Sequence, residues 1–142
     1  MRDRGFTLIE TVMVLALAGM LVYGGAVTFR GFVPKLRLES GVWEVRSSLN
    51  QARFRAIWRG TPVRVVFAPR GYRVEAYDGQ AGSWRLDRAG TFQGVEVRST
   101  NDPAFYPQGT VTNLATITVV NSRGAYRITV AITGRVKTVK VA

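Results

Sequence analysis

The chain has 142 residues, 46% of them apolar, with 20 Lys and Arg against 9 Asp and Glu for a formal net charge of +11. That composition excludes a disordered chain, and a basic surface of this size attracts polyanions such as nucleic acid, anionic lipid or acidic proteins. There is no Cys and no His, which removes disulfides, thiolate metal sites, the commonest general base and the commonest neutral metal ligand, and disfavours enzymatic chemistry.

Residues 1–5, Met-Arg-Asp-Arg-Gly, form a short charged leader. From Phe6 to Phe29 the only ionisable side chains are Glu10 and the phenol of Tyr23. As a helix this run reaches roughly 36 Å, enough to cross a hydrocarbon core of about 30 Å with some tilt. A secretory signal peptide would place a small-residue cleavage site after the run, and Tyr23-Gly24-Gly25-Ala26 suits that poorly. Arg2 and Arg4 flank one end, Arg30, Lys35 and Arg37 the other, so charge alone does not orient the span. Glu10 is the anomaly, because a carboxylate inside a spanning helix costs on the order of a few kcal/mol unless it is paired or sits at the interface. It needs either headgroup-level solvation or a cation from another molecule.

Residues 30–60 keep a helical period but become amphipathic. Leu38, Val42, Val45, Leu49, Ala52 and Ala56 fall alternately four and three apart, as one buried stripe does. Trp43 and Ile57 are expected to widen it, and Arg46, Asn50 and Arg53 lie off it. Pro34 and Gly41 are expected to interrupt the helix, with Gly24-Gly25 and Gly31 as further weak points. Gly60-Thr61-Pro62 stops the helix and the period changes to two. Residues 62–77 read as a β-hairpin about Pro69-Arg70-Gly71, followed by a short strand near Trp84 and Leu86 and another at Val95 and Val97. A polar loop spans 99–108, and strands over 115–120 and 125–132 are joined by Asn121-Ser122-Arg123-Gly124. Residues 61–142 thus form a β-rich globular domain, and Trp43, Phe54 and Trp58 on the helix, with Trp84, Phe92 and Phe105 in the domain, are expected core or helix-packing residues. Asp78 with Asp87, and Glu96 with Asp102, are too scattered to hold a metal, so no cofactor is implied.

The C-terminal stretch is basic: from Pro103 on there is no acidic residue, and Arg123, Arg127, Arg135, Lys137 and Lys140 carry charge. Tyr126, Ile128, Val130 and Ile132 alternate with Arg127, so one face is buried. A two-residue turn at Thr133-Gly134 would set Arg135 and Lys137 on that buried face, and a three-residue turn would bring Lys140 opposite Ile128. Neither register keeps every charge in water, which predicts an irregular turn or bulge within 133–138 that turns Arg135 and Lys137 outward. Such an edge has two readings: a solvated basic rim that discourages strand pairing, or a grip on phosphates.

Gly5-Phe6-Thr7-Leu8-Ile9-Glu10, followed by the apolar run, resembles the N-terminus of type IV pilins and type II secretion pseudopilins. The resemblance implies an α+β fold, a long N-terminal helix packed on an antiparallel sheet domain. It also implies cleavage after Gly5 by a prepilin peptidase, methylation of Phe6, and a filament contact between Glu10 and the Phe6 ammonium of a neighbouring subunit. Anchorage would be single-pass in a bacterial inner membrane, with the globular domain outside the cytoplasm, before assembly with other pilins or pseudopilins. Residues 49–63, from Leu49 to Val63 through Ala52-Arg53 and Gly60-Thr61-Pro62, are similar to the helix-to-strand junction of the GspH and FimT group of minor pseudopilins and minor pilins. Phe105-Tyr106-Pro107-Gln108-Gly109 and Gly134-Arg135-Val136-Lys137 are similar to two later patches of that group. FimT-like members are implied to bind DNA through a Gly-Arg-x-Arg type motif, which would assign DNA contact to Arg135 and Lys137, with Arg123 and Lys140 nearby. Lys137 keeps the charge of that motif but lacks the guanidinium fork.

Overall fold

The computed structural model describes residues 7–141, with side chains described for all of them except 26–30; Gly5 and Phe6 lie outside this range. Among the described residues one helix, α1 (Leu8–Arg59), is followed by nine strands. The chain divides into two compact units, residues 1–33 and 34–142.

In the first unit Thr7 stands just before α1 and its hydroxyl accepts a hydrogen bond from the Glu10 N–H at 3.3 Å, so the first turn is capped by its own sequence. Leu8–Gly25 is long and apolar enough to cross a membrane, with mean hydropathy 1.8. Its apolar side chains are exposed on every side of the helix; Leu8, Leu15 and Leu21 are typical. Such a surface needs lipid or other helices around it.

In the second unit the predicted stripe is the core of the contact between helix and sheets: Leu38, Val42, Val45, Leu49, Ala52 and Ala56 are all buried. The helix is not interrupted at Pro34 or Gly41, nor at Gly24, Gly25 or Gly31. Pro34 lacks an N–H and removes one helical rung, while its carbonyl accepts a hydrogen bond from Asn121 Nδ2 at 2.7 Å. Gly41 has a packing role, since a Cβ there would come within 2.8 Å of Val95 Cγ2. The missing side chain lets the helix sit close against the sheets.

Two antiparallel sheets lie over this stripe. The first has the order β3-β2-β1-β5-β6, from β1 (Val63–Ala68), β2 (Gly71–Asp78), β3 (Ser83–Thr91), β5 (Ala104–Phe105) and β6 (Val111–Thr112). The second has the order β4-β7-β8-β9, from β4 (Glu96–Ser99), β7 (Thr116–Asn121), β8 (Gly124–Val130) and β9 (Val136–Val141). They meet through a backbone hydrogen bond from Val97 N–H of β4 to the Pro69 carbonyl beyond β1, and the Val65 N–H to Pro103 carbonyl bond extends the β1–β5 pairing. Val63, Val65, Phe105, Ile117 and Ile128 face the helix stripe from both sheets and are fully buried.

Several expectations change. The polar loop 99–108 contains β5, and Phe105 within it is fully buried; a two-residue strand leaves no readable alternation. The strand near Trp84 is nine residues long and carries a bulge, with Val74 opposite Arg88 and Glu75 opposite Leu86. The bulged residue, Asp87, reaches α1 and forms ion pairs with Arg55 and, at 3.1 Å, with Arg59. Burial works to raise the Asp87 carboxyl, and the two guanidiniums overcome it and hold the group below the usual carboxylate range. On the same flank the Tyr72 hydroxyl donates to Glu44, and burial together with that carboxylate pushes the phenol up to about 12. Of the aromatic residues expected inside, Phe92 and Phe105 are buried, but Trp43, Phe54 and Trp58 are exposed, as is Ile57. The three aromatics stand on the side of α1 away from the stripe, and Ile57 lies on its flank near Gly109, so Trp43 and Ile57 do not widen it. Trp84 is half-buried and lies against Tyr77 and under the Arg64 guanidinium, outside the core.

Leu49→Ala is expected to destabilise the fold by about 2–5 kcal/mol, since it empties a closed site. Trp58→Ala should change stability by less than about 0.5 kcal/mol. Urea unfolding of the full chain in detergent, followed by the loss of sheet signal, measures both.

Candidate functional site

Two regions carry the residues singled out by sequence: the start of α1, and the far end of the second sheet. At the first, Glu10 lies in the opening turn of α1, where the helix dipole favours a negative charge. Among the described residues its carboxylate has no ion pair or hydrogen bond, and its neighbours Leu8, Ile9 and Met13 are exposed apolar side chains. It is a carboxyl group in an otherwise apolar surface.

The second region is built by a loop. β8 and β9 pair with Val130 opposite Val136, Ile128 opposite Thr138 and Tyr126 opposite Lys140, so residues 131–135 form a five-residue connection. Neither of the simple registers occurs. The loop closes on itself, with Gly134 N–H donating to Ala131 O at 2.8 Å and Ala131 N–H to Arg135 O at 2.9 Å. Ile132 is exposed, contrary to the alternation, because its carbonyl turns to accept from Val111 N–H and joins the loop to β6. The irregular turn leaves Arg135 and Lys137 both exposed.

Arg123 and Lys140 are exposed too: Arg123 lies in the turn before Gly124, at the opposite end of β8, and Lys140 pairs with Tyr126 partway along the strand. The ends of the seven-residue β8 are about 20 Å apart. Lys140 stands three residues from Lys137 along β9, about 10 Å away and on the other face of the strand, so the four cations are strung along the hairpin and do not form one cluster. Among the described residues none of them, nor Arg127 between them, is in an ion pair. No group of acidic residues that could hold a metal occurs among the described residues.

Sequence reasoning missed Arg53, which shapes the loop from the helix side. Its guanidinium lies against Gly134, with Nη1 3.5 Å from the Gly134 carbonyl, and its Nη2 is 3.8 Å from the place of a Cβ on Gly109. Both glycines have positive φ, 74° and 83°. The only hint was Ala52-Arg53 beside the buried stripe; the contact partner is 81 residues away, beyond any local pattern.

A helix opening on a methylation-type leader and continuing into a one-sided stripe under two antiparallel sheets defines a pilin-like subunit. Residues 1–22 match the prokaryotic N-terminal methylation motif, and residues 43–134 match the family described as type II transport protein GspH. The type II secretion system protein H of Xanthomonas campestris pv. campestris is 30% identical over 140 residues, covering 94% of this chain and 82% of that protein. Two structures of the minor pseudopilin EpsH from the type 2 secretion system of Vibrio cholerae share the fold, each with a TM-score of 0.63. They are 14% and 12% identical, covering 73% and 75% of this chain and 97% and 95% of theirs. The chain belongs to the GspH family.

A Cβ on Gly134 would lie 2.8 Å from Arg53 Nε and 3.1 Å from its Cδ and Cζ. Gly134→Ala should therefore destabilise by more than the roughly 1–2 kcal/mol of left-handed backbone strain. Adding Arg53→Ala should recover the steric excess and leave the strain, a non-additivity that a double-mutant cycle of unfolding free energies reads directly.

Proposed function

We propose that the chain is a minor pseudopilin subunit of a type II secretion filament, made as a precursor, cut after Gly5 by a prepilin peptidase, methylated on Phe6 and polymerised through α1. The observation that carries this reading is the presence of the methylation motif at residues 1–22 and the GspH match at 43–134 in one chain. The named relatives, a type II secretion protein and a minor pseudopilin, point the same way.

The mechanism follows from the first half of α1. Before assembly its exposed apolar faces are solvated by lipid in the inner membrane, with the β-rich domain outside the cytoplasm. On assembly they exchange lipid for the helices of other pseudopilins, a near-neutral exchange of apolar surroundings, so apolar contact alone selects no register. Glu10 supplies the selection: its carboxylate takes the Phe6 ammonium of a neighbour. A shift along the helix would leave two unpaired charges away from water, at a penalty of several kcal/mol. Replacing Gly5, as in Gly5→Val, should leave the full-length mass unshifted, whereas the native chain loses residues 1–5. Normal processing of the variant sinks the assignment.

A second reading is favoured by one observation: the cations Arg135 and Lys137 are exposed on one loop and strand start, without ion pairs among the described residues. On it the domain acts as a DNA receptor in transformation, gripping backbone phosphates. Log affinity for duplex DNA would then fall with log salt by about 0.9 per phosphate neutralised. Arg135→Ala with Lys137→Ala should reduce that slope by up to about 1.8. An unchanged slope, or no binding at physiological salt, removes the DNA role and leaves the filament reading intact.

A further inference from the structure

Within residues 34–142, the side of α1 turned away from the sheets is unlike a solvated polar face. Trp43, Phe54 and Trp58 are 68%, 67% and 76% exposed. Their spacings of eleven and four residues, close to three turns and one turn, put all three on one side. Exposed aromatics on a monomeric surface mark contact sites, because Trp and Phe bring large rigid area at small entropic cost. Between Trp43 and Phe54 the shorter Ser47 and Asn50 leave an open recess of about 540 Å³, bounded also by Arg46, Gln51 and Arg55.

The charge of this recess is of one sign. Arg46 and Arg55 line it and no carboxylate does. Arg55 is already paired with Asp87, whereas Arg46 is exposed and, among the described residues, without an ion pair. From Gly41 to Gly60 the sole acidic residue is Glu44, which accepts a hydrogen bond from Tyr72 on the flank facing the sheet. The face is therefore apolar at the ends of the recess, hydrogen-bonding on its floor and positive at its side.

We infer that this face docks an acidic protein partner, which places an apolar side chain between Trp43 and Phe54 and a carboxylate against Arg46. A second copy of the chain fits poorly. After loss of Arg2, Asp3 and Arg4 each copy still carries +10, from +11 less two positive charges and one negative, and copies repel. Single-stranded nucleic acid fits poorly as well: eleven residues of helix set Trp43 and Phe54 about 16 Å apart, too far for neighbouring bases to stack on both. That spacing suits a helix or strand of a protein laid along the recess. The inference rests on the filament-subunit reading by naming the chemistry of one neighbour.

The test uses the full chain in its own membrane, with p-benzoylphenylalanine in place of Trp58, irradiation, and mass spectrometry of the adducts. The expected adduct is a different protein of net negative charge, joined through a peptide that carries an apolar residue beside Asp or Glu. Arg46→Glu should lower its yield about fivefold or more, since reversing a rim charge opposes encounter. Arg127→Glu, on the outer face of the second sheet, should leave the yield unchanged. An adduct with the chain itself, with lipid or with nucleic acid overturns the inference. So does no adduct, an adduct of net positive charge, or an adduct indifferent to Arg46→Glu in a variant that still unfolds like the parent. The same spectra report leader removal. A processed chain without the adduct sinks the docking surface alone, and an unprocessed chain with it sinks the filament reading alone.

Discussion

The structure depends on a change in the surroundings that one helix demands along its length. Up to Gly25, α1 is apolar on all sides and can be satisfied only by lipid or by other helices. From Leu38 to Ala56 it is apolar along one buried stripe and is satisfied by its own chain. The sheets exist in the form they do because that stripe must be covered: with the only long helix among the described residues already placed, two sheets supply the second layer. The small residues Gly41, Ala52 and Ala56 in the stripe let backbone approach backbone, and Leu49 and Val45 fill what remains.

Side-chain pairing then fixes which strand lies where. Asp87 is brought to α1 by a bulge, and without the extra residue its carboxylate would follow the alternation of β3. Tyr72 and Glu44 tie β2 to the same flank, and Asn121 ties the end of β7 to the Pro34 carbonyl. On the other flank Arg53 holds the 131–135 loop through Gly134, and Ile132 carries that loop to β6. The irregular C-terminal turn thus belongs to the packing of the whole domain and not to one hairpin.

What could be read from sequence followed from period and from covalent position. The stripe Leu38 to Ala56, the hairpin at Pro69-Arg70-Gly71 and the turn before Gly124 all express local geometry, and the structure contains them. The α+β pilin-like fold was legible from the leader motif together with these elements. The misreadings arose where a residue's environment is set by distant chain. Gly41 looked like a break because its partner, Val95, is far along the sequence. Residue type suggests a core or helix-packing place for Trp43, Phe54 and Trp58, whereas their helical spacing sets them opposite the stripe, where they are exposed. The pairing of Val130 with Val136 needed β6 to claim the carbonyl of Ile132, which no count of turn residues reveals.

The way α1 is joined to the sheets also has a mechanical meaning. Among the described residues no strand pairs with the helix, so the two are held by the buried stripe and a few side-chain bridges: Asp87 to Arg55 and Arg59, Tyr72 to Glu44, Arg88 to Gln51, and Asn121 to Pro34. A thrust along the helix axis would reach the sheets as shear across that joint. Interlocked apolar side chains resist such sliding over a short distance and the bridges resist it at their ends. Gly41 seated against Val95 acts as a detent, a notch that must be left before the helix can slip.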